Sequence, residues 1–131
     1  MEDLVSVANG KNVVTNQVLY NVSRRGVEFS LLPWQRERGI STMAYSPIEQ
    51  ARLLASTKLK VIASDIGATP AQLAIAWLLT QPDVIVIPKT THVARLKENL
   101  GALDLKLDAA TLAALDAAFA APGKHTPLAM L

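Results

Sequence analysis

The sequence contains no cysteine. Disulfide staples and thiolate metal sites are thereby excluded, and a reducing compartment, the cytoplasm, is the expected location. Histidine is scarce as well. His92 and His125 stand alone, with no carboxylate or second histidine at ligand spacing, so no metal site is expected and neither is assigned a catalytic role. Charged residues make up 18% of the chain and the formal net charge is only +2. So small an excess, with Arg24-Arg25 and Arg36/Arg38 as the only basic clusters, gives nucleic acid little to bind. Long apolar runs are missing too. The longest, at 74–79, is far short of the about 20 residues that a membrane-spanning helix needs. The start, Met1-Glu2-Asp3, is acidic and unlike a secretory leader. Neither nucleic acid nor a membrane is an expected partner.

What is present is apolar: hydrophobic residues make up 50% of the chain, which excludes a disordered polymer. The 131 residues contain no repeat and no linker-like stretch, so residues 1–131 are expected to form one domain. Short apolar runs alternate with helical patterns. Residues 13–19 and 40–45 read as strands, and 29–38 as a short helix closed by Gly39. Residues 46–57, opened by Ser46-Pro47, read as a loop. Leu59, Ile62, Ala63 and Ile66 make one face of a helix over 58–66, which Gly67 can stop. Thr69-Pro70 caps a second helix, over 71–80, that is apolar nearly all round and should be buried. The run Val84-Ile85-Val86-Ile87 suits a strand covered on both faces. A helix over 93–100 follows, with Thr91 as candidate cap. Asp108 caps a last helix whose face is Leu112, Leu115 and Phe119, and the tail after Pro122 should be irregular.

Alternating strands and helices imply a parallel sheet with right-handed crossovers. Three strands are too few to close the eight-stranded (β/α)8 barrel. They make part of one, or a small open sheet, and either way leave two unpaired edges that invite homo-oligomerisation.

The segment Ile87-Pro88-Lys89-Thr90-Thr91-His92-Val93-Ala94-Arg95-Leu96-Lys97-Glu98-Asn99 carries the chemistry. A strand ends, a lysine and two hydroxyls follow, and a helix begins. Parallel α/β folds place ligands at strand C-termini, and a helix N-terminus offers free N–H groups and a positive dipole end. Lys89 adds a point charge, and Arg95 a planar fork matched to phosphate oxygens. The spacing alone suits a phosphate site and a solvated basic helix start equally well.

This segment resembles the adenosine 2′-phosphate loop of the aldo-keto reductases, in which Ile-Pro-Lys-Ser/Thr is followed by Arg and then Glu-Asn. Asn16-Gln17-Val18-Leu19-Tyr20 resembles that family's sixth barrel strand, and Ala44-Tyr45-Ser46-Pro47-Ile48 its seventh strand and loop. Thr69-Pro70-Ala71-Gln72-Leu73-Ala74 with Trp77 resembles the helix before the eighth strand. The match runs from about residue 13 to 120.

The resemblance implies α/β architecture, a partial (β/α)8 barrel of about three parallel strands, and NADP as cofactor. It implies that Gln17 bonds the nicotinamide carboxamide and that Tyr45 stacks on the nicotinamide ring. Ser46, Ile48 and Gln50 would line the pyrophosphate. Lys89, Thr90 and Arg95 would hold the 2′-phosphate, and Glu98 and Asn99 would contact adenine. The family's Tyr, Lys, Asp and His acid–base group belongs to its first four strands, so no catalytic residue is expected here. Tyr20 has no neighbour in sequence that would lower its pKa. Three functions follow in order of preference: an NADP(H)-binding partial barrel with little turnover, a weak carbonyl reductase acting as an oligomer, and a non-enzymatic interaction or regulatory protein.

Overall fold

The computed structural model describes residues 1–131. Helix α1 (Glu2–Ser6) and a 3-10 turn (Gly10–Asn12) lead into β1 (Thr15–Leu19). A second 3-10 turn (Gly26–Glu28) and α2 (Leu31–Arg36) lead to β2 (Ser41–Tyr45). A 3-10 segment (Glu49–Ala55), α3 (Thr57–Asp65) and α4 (Pro70–Leu79) connect β2 to β3 (Val84–Val86). Helix α5 (Val93–Leu100), a 3-10 turn (Gly101–Asp104) and α6 (Ala109–Ala118) follow, and the tail forms no further element. The sequence reading places the three strands and helices α2 to α6 to within about two residues. It misses the 3-10 segment inside the loop at 46–57 and begins β1 two residues early.

The strands pair in parallel in the order β1-β2-β3. Gln17 lies beside Met43, which lies beside Ile85; Val18, Ala44 and Val86 form the next row. Because side chains alternate across a strand, these rows face opposite sides. The Val18 row faces the helices and belongs to the main core, with Tyr20, Leu59, Leu73, Trp77, Leu78 and Leu115. The Gln17 row faces away from them: Gln17 is exposed, Met43 half-buried and Ile85 47% exposed. The expectation that β3 is covered on both faces is therefore wrong. Its β-branched run gives up one face to the helices and leaves the other open.

Local signals explain the element boundaries. Gly39 and Gly67 both have φ of +65°, the left-handed conformation that ends helices. Across them Ile40 N–H donates to the Gln35 carbonyl (3.0 Å) and Ala68 N–H to that of Ala63 (2.9 Å). Helix α4 opens on a full capping box. The Thr69 hydroxyl accepts from Gln72 N–H, the Gln72 side chain accepts from Thr69 N–H, and Pro70 fills the first helical position. Such a cap contributes about 1 kcal/mol. Ala71 and the six residues from Leu73 to Leu78 are buried, as the apolar pattern requires. Asp108 caps α6 by accepting from Thr111 N–H at 2.8 Å. Trp77 meets the Tyr20 ring edge-on at 5.5 Å, and the Arg25 guanidinium lies 5.0 Å from its centroid.

Candidate functional site

Parallel pairing brings the C-terminal ends of all three strands to one rim, and the predicted residues follow from that topology. Gln17 lies two residues before the end of β1, Tyr45 is the last residue of β2, and Lys89 and Thr90 come just after β3. Gln17 and Tyr45 also share a sheet face, two residues apart in register, on the side away from the helices. Gln17 lines a cavity of about 630 Å³ along the free edge of β1, together with Asn16, Trp34 and residues of both chain ends. Asn16 is turned to the other face, where it donates to Gln35 (2.8 Å), which in turn donates to Thr42 (2.7 Å).

After β3 the chain runs through Pro88 to α5. Lys89 and Arg95 are exposed, and Thr90, Glu98 and Asn99 are half-buried. The expected cap at Thr91 does not form: His92 is the N-cap residue and makes no side-chain cap bond. Instead the Thr90 hydroxyl accepts from His92 N–H at 3.1 Å and shapes the turn before the helix. Helix α5 is keyed to α4 by Gln72, whose Nε2 donates to the Glu98 carbonyl at 3.1 Å. A Cβ at Gly101 would come within 2.6 Å of that same Nε2, so glycine there keeps the key in place. Of the six arginines, Arg24, Arg25, Arg38 and Arg52 are ion-paired within the chain, whereas Arg36 and Arg95 are not, and neither is Lys89. The loop–helix junction thus carries two cations that no carboxylate of the chain pairs, beside the N-terminus of α5.

The loop after β2 takes an unusual path. Ser46, Glu49, Gln50 and Ala51 have φ of 53°, 50°, 53° and 69°. None is glycine, and left-handed backbone costs such residues about 1–2 kcal/mol each. Ser46 and Ile48 are half-buried, and Gln50 is exposed. The residue that sequence reasoning missed is Glu49, only 5% exposed. Burial pushes its pKa up, but hydrogen bonds from Arg24 and Asn21, with the charges of Arg24 and Arg52, outweigh this and hold it below the ordinary 4.5. Arg24 and Arg25, which look like a basic cluster in sequence, are both engaged. Arg24 pairs with Glu49 (2.8 Å), and Arg25 with Glu28 (2.8 Å) and Asp116 (2.6 Å).

A carboxylate whose folded pKa is depressed stabilises the fold fully above its unfolded pKa. That stabilisation is lost as pH falls through the folded value. Wild-type protein is therefore expected to lose melting temperature below about pH 4.5, with Asp108, also held low by Thr111 N–H, contributing in the same direction. Glu49→Gln should flatten this acid limb in a pH series of thermal melts; an unchanged limb would remove Glu49 as its source.

Tyr20 is the tyrosine at the end of β1. It is fully buried and donates to Glu28 at 2.8 Å. Burial, reinforced by the Glu28 carboxylate, drives its pKa far above the usual phenol value. It is therefore a poor proton donor.

A sequence profile of the aldo/keto reductase family matches residues 1–120. The chain is 38% identical over 136 aligned residues to the methylglyoxal reductase YeaE of Escherichia coli K12, covering 100% of this chain and 48% of that protein. It is 35% identical over 105 residues to the pyridoxine 4-dehydrogenase of the same organism, covering 79% of this chain and 36% of that protein. Among solved structures, an aldo/keto reductase from Klebsiella pneumoniae in complex with NADP and acetate superposes with a TM-score of 0.94 at 36% identity. That match covers 99% of this chain and 48% of the other. The chain thus spans about half the length of these relatives.

Proposed function

Because the chain belongs to the aldo/keto reductase family, we propose that it forms the NADP(H)-binding part of such a reductase barrel and has little turnover by itself. The observation that carries this reading is the junction between β3 and α5, where Lys89 and Arg95 flank Thr90 and neither cation is paired with a carboxylate of the chain. A 2′-phosphate is the dinucleotide group that answers such a site. Gln17 and Tyr45, on one face at the same rim, would then receive the nicotinamide end, with Ser46, Ile48 and Gln50 along the pyrophosphate and Glu98 and Asn99 at the adenine. A bound nicotinamide supplies or accepts a hydride. The chain's own contribution is to orient it, and its buried Tyr20 is unsuited to deliver the accompanying proton.

Assembly is part of the proposal. β1 and β3 each keep a free edge. Val93, Leu96 and Leu100, at i, i+3 and i+7 on α5, are 70%, 48% and 54% exposed, and Leu103 beyond them is 68% exposed. On the opposite side Leu4, Val7 and Val14 are exposed as well. Apolar surface beside unpaired strand edges favours association, and a second copy of the chain is the occupant proposed. Slow reduction of reactive aldehydes by such an oligomer is the second reading, favoured by the likeness to a methylglyoxal reductase.

Mixing NADPH with the chain is expected to enhance the nicotinamide fluorescence saturably, and sedimentation of the same samples should show a dimer or larger species that tightens with cofactor. Unchanged fluorescence would refute binding, and a monomer at every concentration would refute assembly.

A further inference from the structure

We propose that Glu49 is a positioning residue for the pyrophosphate bridge of the dinucleotide, a role that rests on the NADP reading above. The span from Ser46 to Ala51 contains four non-glycine residues in left-handed conformation, so the path must be imposed by contacts. The structure supplies them through one buried cluster. The Glu49 carboxylate accepts from Asn21 Nδ2 (2.8 Å), Arg24 Nε (2.9 Å) and Arg52 Nη2 (3.3 Å). Asn21, fully buried, is committed on every side. Its Nδ2 also donates to the Ser46 carbonyl (2.9 Å), and its Oδ1 accepts from the N–H (3.0 Å) and hydroxyl (2.9 Å) of Ser23.

One amide group therefore holds both ends of the Ser46–Glu49 turn, the stretch that bears Ser46 and Ile48. It ties that turn to the loop following β1, the strand that carries Gln17. Arg24 and Arg52 converge on a single carboxylate oxygen, Oε1, and leave one net positive charge beside the turn. A loop fixed before the ligand arrives does not have its ordering cost charged against binding. The carboxylate itself, saturated by donors and held ionised, has no proton to give and makes no direct contact with an anion. Its effect runs through the backbone it fixes.

The test uses calorimetric titration of the full chain with two probes. NADP contains the pyrophosphate; adenosine 2′-monophosphate offers only the 2′-phosphate and adenine. Glu49→Gln, which keeps the shape and removes the charge, is expected to weaken NADP about tenfold, the size of one lost charge-assisted hydrogen bond. Binding of adenosine 2′-monophosphate should stay within about twofold of wild type, because its proposed site lies at the junction of β3 and α5. Glu49→Asp should recover part of the loss. Equal weakening of both probes, or unchanged NADP affinity, overturns the positioning role and leaves the 2′-phosphate reading intact. Failure of the wild-type chain to bind either probe overturns both. If Glu49→Gln does not fold, Arg52→Gln, whose side chain is 60% exposed, takes its place with the same two probes, and unchanged NADP affinity there is equally decisive.

Discussion

Replacing Lys89 and Arg95 together by alanine should weaken NADPH binding about a hundredfold while leaving NADH binding nearly unchanged. Hydrogen bonds to charged groups contribute about 1.5–3 kcal/mol each, and at exposed positions the lower end applies, so each residue is worth about tenfold. The selectivity follows from geometry. Both residues flank the start of α5, one on the strand side and one on the first full turn, and neither is held by a carboxylate of the chain. NADH lacks the group they would meet. Salt should reproduce the effect in part, since exposed charges are screened. Fluorescence titrations of the single and double variants with both cofactors check this. Equal losses for NADH and NADPH would place the two side chains at some other part of the ligand, and no loss would detach them from the site.

The second large effect concerns the layer on which the rim rests. Trp77→Ala should lower stability by about 3–5 kcal/mol, a loss comparable to the whole stability of a marginal domain. Trp77, on the buried face of α4, is 2% exposed and packs against Tyr20 at the end of β1 and the Arg25 guanidinium. Its removal leaves a cavity in the only layer that covers the sheet within this chain, and strips Arg25 of its aromatic partner. In thermal melts the midpoint should fall by at least about 10 °C, or the cooperative transition should vanish. Trp34 provides the control. It is half-buried with Arg38 stacked 4.2 Å from its ring, so Trp34→Ala should cost far less. Comparable losses for the two variants would show that the core is not centred where the packing places it.

Much of this organisation is legible in the sequence because its signals are local. A hydroxyl before a proline announces the start of α4, glycines at 39 and 67 take the left-handed conformation that ends a helix, and Asp108 caps α6 through a residue three positions away. The rim is legible too, since parallel strands must bring Tyr45 and Lys89 to the same end. What escapes is long-range. Glu49 meets Asn21 across 28 positions, and Arg25 meets Asp116 across 91, so neither pairing leaves a mark in local spacing. Arg24-Arg25 therefore reads as a basic cluster when it is bound up in ion pairs. The run at 84–87 misleads for a related reason. β-branched residues register a preference for pleated backbone and burial on at least one face, and Val84 and Val86 satisfy it against the helices while Ile85 is left outside. The turn at 91–93 shows the same limit at short range, where Thr90 rather than Thr91 organises the approach to α5.

Calorimetric titration of the 131-residue chain with NADP and then with NAD addresses the account at its root. A saturable heat with NADP, at an affinity at least about tenfold above that for NAD, is the predicted result. No heat at millimolar NADP, or indistinguishable affinities for the two nucleotides, would contradict the assignment of a 2′-phosphate site to Lys89, Thr90 and Arg95.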